Sequence, residues 1–460
     1  MSSTVDSTTI TPITISNNLF MCGTDQWAPK GVCYQPTDFI DPISDNNNLA
    51  TIQNLLKSTT TFGFTNLNIN AIRVYQVDVG TGNSHKLVMD ALAAKGIYVL
   101  VGAVNNITTV FSSTAEYHKR LEQIADEFCQ YNNVLGFSLG NESIGSDGHT
   151  PGYDIPSKIR AGAKHLKAYM KGKNYRAVPL TVALRDNPEY TIPAAKAYMC
   201  GDIAERVDFL GYNCERWAGG SLAAKVGAYY NLAKAFDGSN PVPITFTEMG
   251  SNPADISPRD WAQIPYLFGT KEVKSQSGAD LLNMADIVSG GFAFRYYERP
   301  SGWGMLKANG DEIPDHGASS LQSEFSKITS IHSTGNSMGT APCNSSNPYV
   351  VGETPDSSGL AVDTPVKFKF NVEGSTKIAL NYSKENTGDS WTTLTSGKLN
   401  DAPASVVMPK GSKRISVSYQ KDNAWYNACN VQDTVSLKAN DTIDGSWVMP
   451  NGNGYCTVTS

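Results

Sequence analysis

No run in this chain approaches the 18 to 20 consecutive apolar residues that span a bilayer, so the sequence holds no candidate membrane helix. The opening stretch, MSSTVDSTTITPITIS, lacks the basic and apolar regions of a secretory signal; a mature form with its signal removed and a Met added is the expectation. Charge is sparse, at 17% of residues with a net of -6, and a nucleic-acid partner is not expected without a basic face to neutralise phosphates. Histidine is also scarce. The six (His85, His118, His149, His165, His316, His332) show no i, i+4 pair, and no Cys-x-x-Cys occurs, which argues against a zinc site. Neither a Gly-x-Ser-x-Gly elbow nor a phosphate-binding P-loop is present, so no metal and no cofactor is called for.

What is present suits a folded chain of two domains: 460 residues, 40% of them apolar. Aromatics reach 10%, with 21 Tyr and 7 Trp. Most such rings serve cores, but a flat apolar face with a polar edge also stacks on sugar rings. Eight cysteines permit disulfides, and Asn106, Asn344, Asn381 and Asn440 head N-glycosylation triplets. Together they point to an oxidising, extracellular setting, secreted or at the cell wall or surface. Asn141-Glu-Ser143 is a fifth triplet, expected to be unmodified.

From residue 20 to 332, short apolar runs alternate with helical patterns. Strands are predicted at Gly31–Tyr34, Asn70–Tyr75, Ile97–Val101, Val134–Leu139, Ala177–Val182, Val207–Gly211, Ile244–Thr247 and Gly291–Phe294. Helical stripes fall between them: Leu87, Val88, Ala91 and Leu92, closed by Gly96; then Tyr117, Leu121, Ile124 and Phe128; then Ile159, Ala163, Leu166 and Met170. Eight strands with intervening helices predict an α/β fold, a (β/α)8 TIM barrel. A doubly wound open sheet is the rival, disfavoured because no Gly-rich phosphate loop follows the first strand. Residues 1–19 read as an N-terminal extension and 333–348, rich in Gly, Ser and Pro, as a linker. Over 349–460 the period changes to two, in Val366–Val372, Ile378–Tyr382, Ala404–Met408 and Arg414–Tyr419, which predicts an antiparallel β-sandwich accessory domain. Trp391, Trp425 or Trp447 could give that domain a carbohydrate-binding face, or it could be purely structural.

Cleaving a glycosidic bond takes one carboxylic acid to protonate the leaving oxygen and a second carboxylate to attack the anomeric carbon or activate water. On a barrel these belong at the C-terminal strand ends. Glu142 follows the fourth strand after Gly140-Asn141, and Glu248 follows the seventh. Strands opposed across the mouth can bring carboxyls to about 5 Å, the retaining separation. Asn141 would donate to the sugar 2-hydroxyl. The two pKa values are expected to diverge, with Glu142 raised and Glu248 kept ionised by Arg73 on the second strand.

Gly31-Val-Cys-Tyr-Gln-Pro36, Ile72-Arg-Val-Tyr75, Asn133-Val-Leu-Gly-Phe137 with Gly140-Asn-Glu142, Lys173-Asn-Tyr-Arg176, Cys200-Gly-Asp202, Glu248-Met-Gly250, and Gly290-Gly291 through Tyr296-Tyr-Glu298 occur in an order that resembles the β-1,3-glucanosyltransferases of glycoside hydrolase family 72. The resemblance covers residues 28 to 310. It implies cleavage of internal β-1,3-glucan bonds through a covalent glycosyl-enzyme, then transfer to the non-reducing end of another glucan. It implies Glu142 as acid/base and Glu248 as nucleophile, with Gln35, Arg73, Tyr75, Asn141, Tyr296 and Trp303 binding β-1,3-glucan polysaccharide or oligosaccharide. It also implies a Cys200–Cys343 disulfide, after which Cys429–Cys456 would staple the small domain, leaving Cys22, Cys33, Cys129 and Cys214 as free thiols or bridges. A monomer is expected.

The chain departs from the family pattern in three places. Glu215 stands where a Tyr is usual after the sixth strand, Val101-Gly-Ala103 lacks the usual Asp, and the β domain replaces a Cys-rich module. Two other readings therefore stand beside transfer: an endo-β-1,3-glucanase or related retaining β-glycosidase, and a non-catalytic glucan-binding wall protein.

Overall fold

The computed structural model describes residues 10–36, 41–80, 82–105, 114–144, 154–218, 221–236, 242–274 and 281–334, with the strands and some connecting residues beyond 362. Eight strands close into a barrel: β1 (Lys30–Cys33), β2 (Ala71–Val74), β3 (Tyr98–Gly102), β4 (Val134–Asn141), β5 (Leu180–Leu184), β6 (Phe209–Cys214), β7 (Ile244–Met249) and β8 (Val288–Ala293). Each pairs in parallel with its neighbours in chain order, and β8 closes on β1. Every residue of β2, β3, β5, β6, β7 and β8 is buried. That is why these strands read as continuous apolar runs: one face fills the barrel and the other lies under helices.

The helices are α1 (Asp45–Leu55), α2 (Lys86–Ala93), α3 (Thr114–Phe128), α4 (Asp154–Gly172), α5 (Pro188–Met199), α6 (Leu222–Phe236), the single turn α7 (Ile264–Leu267) and α8 (Ala318–Ser326). Two predicted stripes are buried, Tyr117, Leu121, Ile124 and Phe128 on α3 and Ile159, Ala163, Leu166 and Met170 on α4; on α2 Val88 and Leu92 are buried with Met89 and Ala93, while the predicted Leu87 is exposed. Gly96 takes φ +69 between α2 and β3, the left-handed conformation in which glycine ends a helix. The fifth strand starts later than the apolar run suggests, at Leu180, because Pro179 has no N–H and can only accept, from Phe137 N at 2.9 Å.

Part of the segment expected to precede the barrel is its floor. Ile13–Ser16, Leu19–Cys22 and Asp25–Trp27 form an antiparallel sheet. Its Phe20 meets Phe209 at 5.1 Å between ring centres and its Trp27 meets Tyr98 at 5.2 Å, both at the entry ends of strands. The far end of the barrel is left for loops. Beyond residue 362 the described strands form two four-stranded sheets. One is antiparallel throughout; in the other, Thr364–Lys369 runs parallel to Thr442–Asp444, a departure from the purely antiparallel expectation. The linker from 335, Cys343, Trp391 and Trp447 lie outside the described residues, as does the side chain of Trp425. Among the described residues no helix is long and apolar enough to cross a membrane.

The loops are anchored by a buried ion cluster. His85, at the start of α2, places Nε2 2.6 Å from Asp41 Oδ2 and Nδ1 2.8 Å from Glu127 Oε1. Asp41 also accepts from the backbone N–H groups of Ile43 and Asp78, so one imidazole ties the loops after β1 and β2 to α2 and α3. Burial pulls the His85 pKa down, but the two carboxylates outweigh it and push it up to about 9. A His raised above its ordinary value near 6.5 stabilises fully below that pH, and the contribution is lost as pH rises through 9. Urea unfolding of the wild-type protein should therefore weaken between pH 6.5 and 9, with His85→Gln flattening that interval. His85→Ala, which leaves carboxylates without a counter-charge, should cost about 3 kcal/mol at pH 6. A pH-independent wild-type midpoint would show that His85 is not cationic in the fold.

Candidate active site

Glu142 and Glu248 sit at the C-terminal ends of neighbouring-but-two strands, and both lie beside breaks in the ladder. The β4–β5 register shifts between Ser138 and Asn141, and the β7–β6 register shifts between Phe246 and Glu248. Such irregularities re-aim side chains at a barrel rim. Glu248 lies inside β7, which continues to Met249, and is 6% exposed. Glu142 is half-buried and adopts φ +46, a left-handed conformation costly for a residue with a Cβ. The turn is held by its N–H, which donates to Ala183 O at 2.9 Å.

One guanidinium joins the strands. Arg73, 1% exposed on β2, donates through Nη1 to Glu248 Oε1 (3.0 Å), Thr247 O (2.8 Å) and Asn213 Oδ1 (3.1 Å), and through Nη2 to Asn141 Oδ1 (2.5 Å). Asn213, on β6, passes the network on: its Nδ2 donates to Glu142 Oε1 at 2.6 Å. The amide is oriented because Thr247 Oγ1 also donates to its Oδ1, at 2.8 Å. Tyr75 completes the set, donating its hydroxyl to Glu248 Oε1 at 2.7 Å while its ring lies 4.3 Å from the Arg73 guanidinium. Both described donors thus reach the same oxygen of Glu248. Among the described residues none reaches Oε2.

This environment corrects the expectation that Arg73 keeps the Glu248 pKa low. Burial pushes the Glu248 carboxyl up to about 7; Arg73 and the Tyr75 hydroxyl pull against that rise, and the charge of Glu142 adds to it. Desolvation of a carboxylate with one counter-ion, itself shared among four acceptors, is the larger effect.

The other expected site residues divide. Arg73, Tyr75 and Asn141 converge on the two glutamates; Asn141 Oδ1 is held by Arg73, and among the described residues its Nδ2 donates to none. Gln35 follows β1 and Trp303 follows β8, both half-buried on the loop side of the barrel; Trp303 packs edge-on against Phe294 at 5.4 Å. Tyr296 is not brought to the carboxylates. It is 1% exposed, its hydroxyl donates to Phe62 O at 2.8 Å, and its ring packs among Tyr34, Phe64 and Tyr297. The Asp missing after the third strand has a steric reason here: a Cβ on Gly102 would stand 2.0 Å from Tyr75 O, so a side chain there would displace Tyr75. Cys22, Cys33, Cys129 and Cys214 are free thiols, whereas Cys200 is disulfide-bonded. Asn213 was not singled out from sequence, although a polar residue on the inward face of an apolar strand was a visible signal.

The match to known proteins follows this geometry. Residues 2–329 match the model of glycoside hydrolase family 72, described as glucanosyltransferase. The chain belongs to that family. Among family 72 relatives, 1,3-beta-glucanosyltransferase gas1 of Schizosaccharomyces pombe is 30% identical over 297 residues, 62% of this chain and 49% of that one. The Aspergillus fumigatus 1,3-beta-glucanosyltransferase gel1 is 28% identical over 385 residues, 80% of this chain and 77% of its own. The chain spans about half the length of several curated relatives it matches. Among solved structures, Saccharomyces cerevisiae Gas2p in complex with laminaritriose and laminaritetraose superposes with a TM-score of 0.60 at 26% identity, covering 76% of this chain and 78% of that one.

The network predicts a coupled stability effect. Arg73→Met leaves Glu248 buried without its counter-charge and should lower the unfolding free energy by about 3–5 kcal/mol. Adding Glu248→Gln should recover part of that loss, because a neutral amide needs no counter-ion. Strictly additive losses in denaturant titrations would mean that the pair is not energetically linked.

Proposed function

We propose that this chain is a retaining β-1,3-glucanosyltransferase. The observation that carries the reading is the asymmetry of the two strand-end carboxyls. Glu248 is buried with Oε1 fixed by Arg73 and Tyr75, and Glu142 is more open and held by Asn213. A fixed carboxylate with one oxygen uncommitted suits attack on an anomeric carbon, and a more exposed carboxyl suits proton exchange with incoming and departing sugars. The names of the family 72 relatives, and the laminari-oligosaccharides bound by Gas2p, support β-1,3-glucan as substrate.

In the first step Glu248 Oε2 bonds to the anomeric carbon as the glycosidic C–O bond breaks, and Glu142 gives its proton to the leaving oxygen. The reducing-side fragment departs and the remainder stays as an ester on Glu248. In the second step a hydroxyl at the non-reducing end of another glucan attacks that carbon, loses its proton to Glu142, and frees Glu248. Asn141 Nδ2 binds the 2-hydroxyl of the sugar, with Gln35 and Trp303 at the rim. Residues 20–332 are the catalytic unit and 349–460 an accessory unit. The disulfide at Cys200 fits work outside the cell, on wall glucan.

Incubation with laminari-oligosaccharides tests this directly. Products longer than the substrate are expected. Shorter products alone would replace transfer with endo-β-1,3-glucanase hydrolysis, and unchanged substrate would leave a glucan-binding protein. Glu142→Gln should lower turnover by about 10²–10⁴ and Glu248→Gln by at least as much, without loss of the fold. The acid limb of kcat/KM should lie near pH 7, because a carboxyl raised to about 7 is protonated, and unable to attack, as pH falls below it. Tyr75→Phe, which removes a donor that favours the carboxylate, should move that limb to higher pH. A limb unmoved by Tyr75→Phe would detach it from Glu248.

A further inference from the structure

The alternation of β6 that turns Asn213 into the barrel mouth turns Glu215 the same way. Tyr212 and Cys214 are fully buried in the core around the barrel, and Tyr212 packs edge-on against Phe236 at 5.6 Å. Arg216 turns back to pair with Asp186 at 2.6 Å. Glu215 is half-buried, two residues beyond the amide that holds Glu142, and its carboxyl makes no hydrogen bond or ion pair with any described residue. The charged groups that face it are Glu248, Glu142 and Asp186, with Arg259 the opposing cation. Arg259 is already engaged: Nη1 donates to Trp303 O at 3.0 Å, Nη2 to Phe294 O, and the guanidinium stacks 4.3 Å from the Trp261 ring. A third carboxyl thus stands near the two glutamates, with no hydrogen-bond partner among the described residues.

We propose that Glu215 is a substrate-binding residue of this site, donating a hydrogen bond from its carboxylic acid to a sugar hydroxyl beside Glu248. The proposal rests on the glucan reading above. Burial first, then the charges of Glu248, Glu142 and Asp186, push the Glu215 carboxyl well above the usual range, against the opposing pull of Arg259. Held neutral, it offers an O–H where the protein supplies no acceptor, and a desolvated sugar hydroxyl needs such a partner. Ionised, it could only accept, and it would add a third negative charge to those of Glu142 and Glu248.

The test is kcat and KM for laminaritetraose from pH 5 to 10, measured on the full chain and on Glu215→Gln and Glu215→Ala. Unfolding midpoints are compared to confirm the fold. Wild-type kcat/KM should fall on the alkaline side as Glu215 ionises. Glu215→Gln, which keeps a donor and cannot ionise, should hold most of the activity and move that alkaline limb to higher pH. Glu215→Ala should lose about tenfold, chiefly in KM, as expected for one hydrogen bond to a desolvated group. An alkaline limb unmoved in Glu215→Gln, or a Glu215→Ala protein matching wild type, overturns the proposal. So does a rise in the transfer-to-hydrolysis ratio in Glu215→Gln, which would make Glu215 a water-activating base. A wild-type protein inactive on the oligosaccharide defeats the glucan reading and this proposal with it, an outcome distinct from failure of the variants alone.

Discussion

The guanidinium of Arg73 is the point on which the mouth of this barrel depends. It lies on β2, yet its donors end on residues of β4, β6 and β7. A planar group with fixed N–H directions can satisfy several acceptors only if they are held at set angles, so each bond constrains the others. Because the group is almost fully buried, its charge cannot be left to water, and Glu248 supplies the compensating charge. The same arrangement limits what Arg73 can do for Glu248. Its hydrogen bonds are divided among a carboxylate, two amides and a backbone carbonyl, and desolvation lifts the carboxyl to about 7 even with the ion pair formed.

Around that centre the barrel gives chemically similar residues different surroundings. Glu248 belongs to a strand whose residues are all buried, and Glu142 lies one residue past the end of its strand in a left-handed turn. Asn213 connects the two without carrying charge, and Thr247 fixes which way its amide points. Gly102 belongs to this arrangement, since the absence of a side chain there is what lets the Tyr75 backbone approach β3. Beneath it, the small sheet at Ile13–Trp27 closes the opposite end of the barrel with Phe20 and Trp27, leaving the loop end for a ligand.

Three readings of the sequence changed in physical content. Tyr296 follows β8, where a site residue is reasonable, but its ring completes an aromatic cluster with Tyr34 and Phe64. Four cysteines left open as thiols or bridges proved to be free thiols. Glu215, first visible only as a departure from a family pattern, stands among charged groups drawn from other strands and loops.

The sequence by itself determined the elements and their order. Apolar runs of four to eight residues and stripes at helical spacing depend only on local burial, so eight strands, the helices between them and the strand-end position of both glutamates could be read directly. It also placed Arg73 and Asn141 near the site, because strand-end positions in a barrel converge whatever their separation along the chain, while Tyr75 came from the family resemblance. Tertiary structure alone decided which oxygen of Glu248 is occupied, that Asn213 bridges to Glu142, and that burial outweighs Arg73. These depend on side-chain direction, ladder irregularities and the number of acceptors sharing one cation, which arise only when strands distant in sequence are brought into a closed ring.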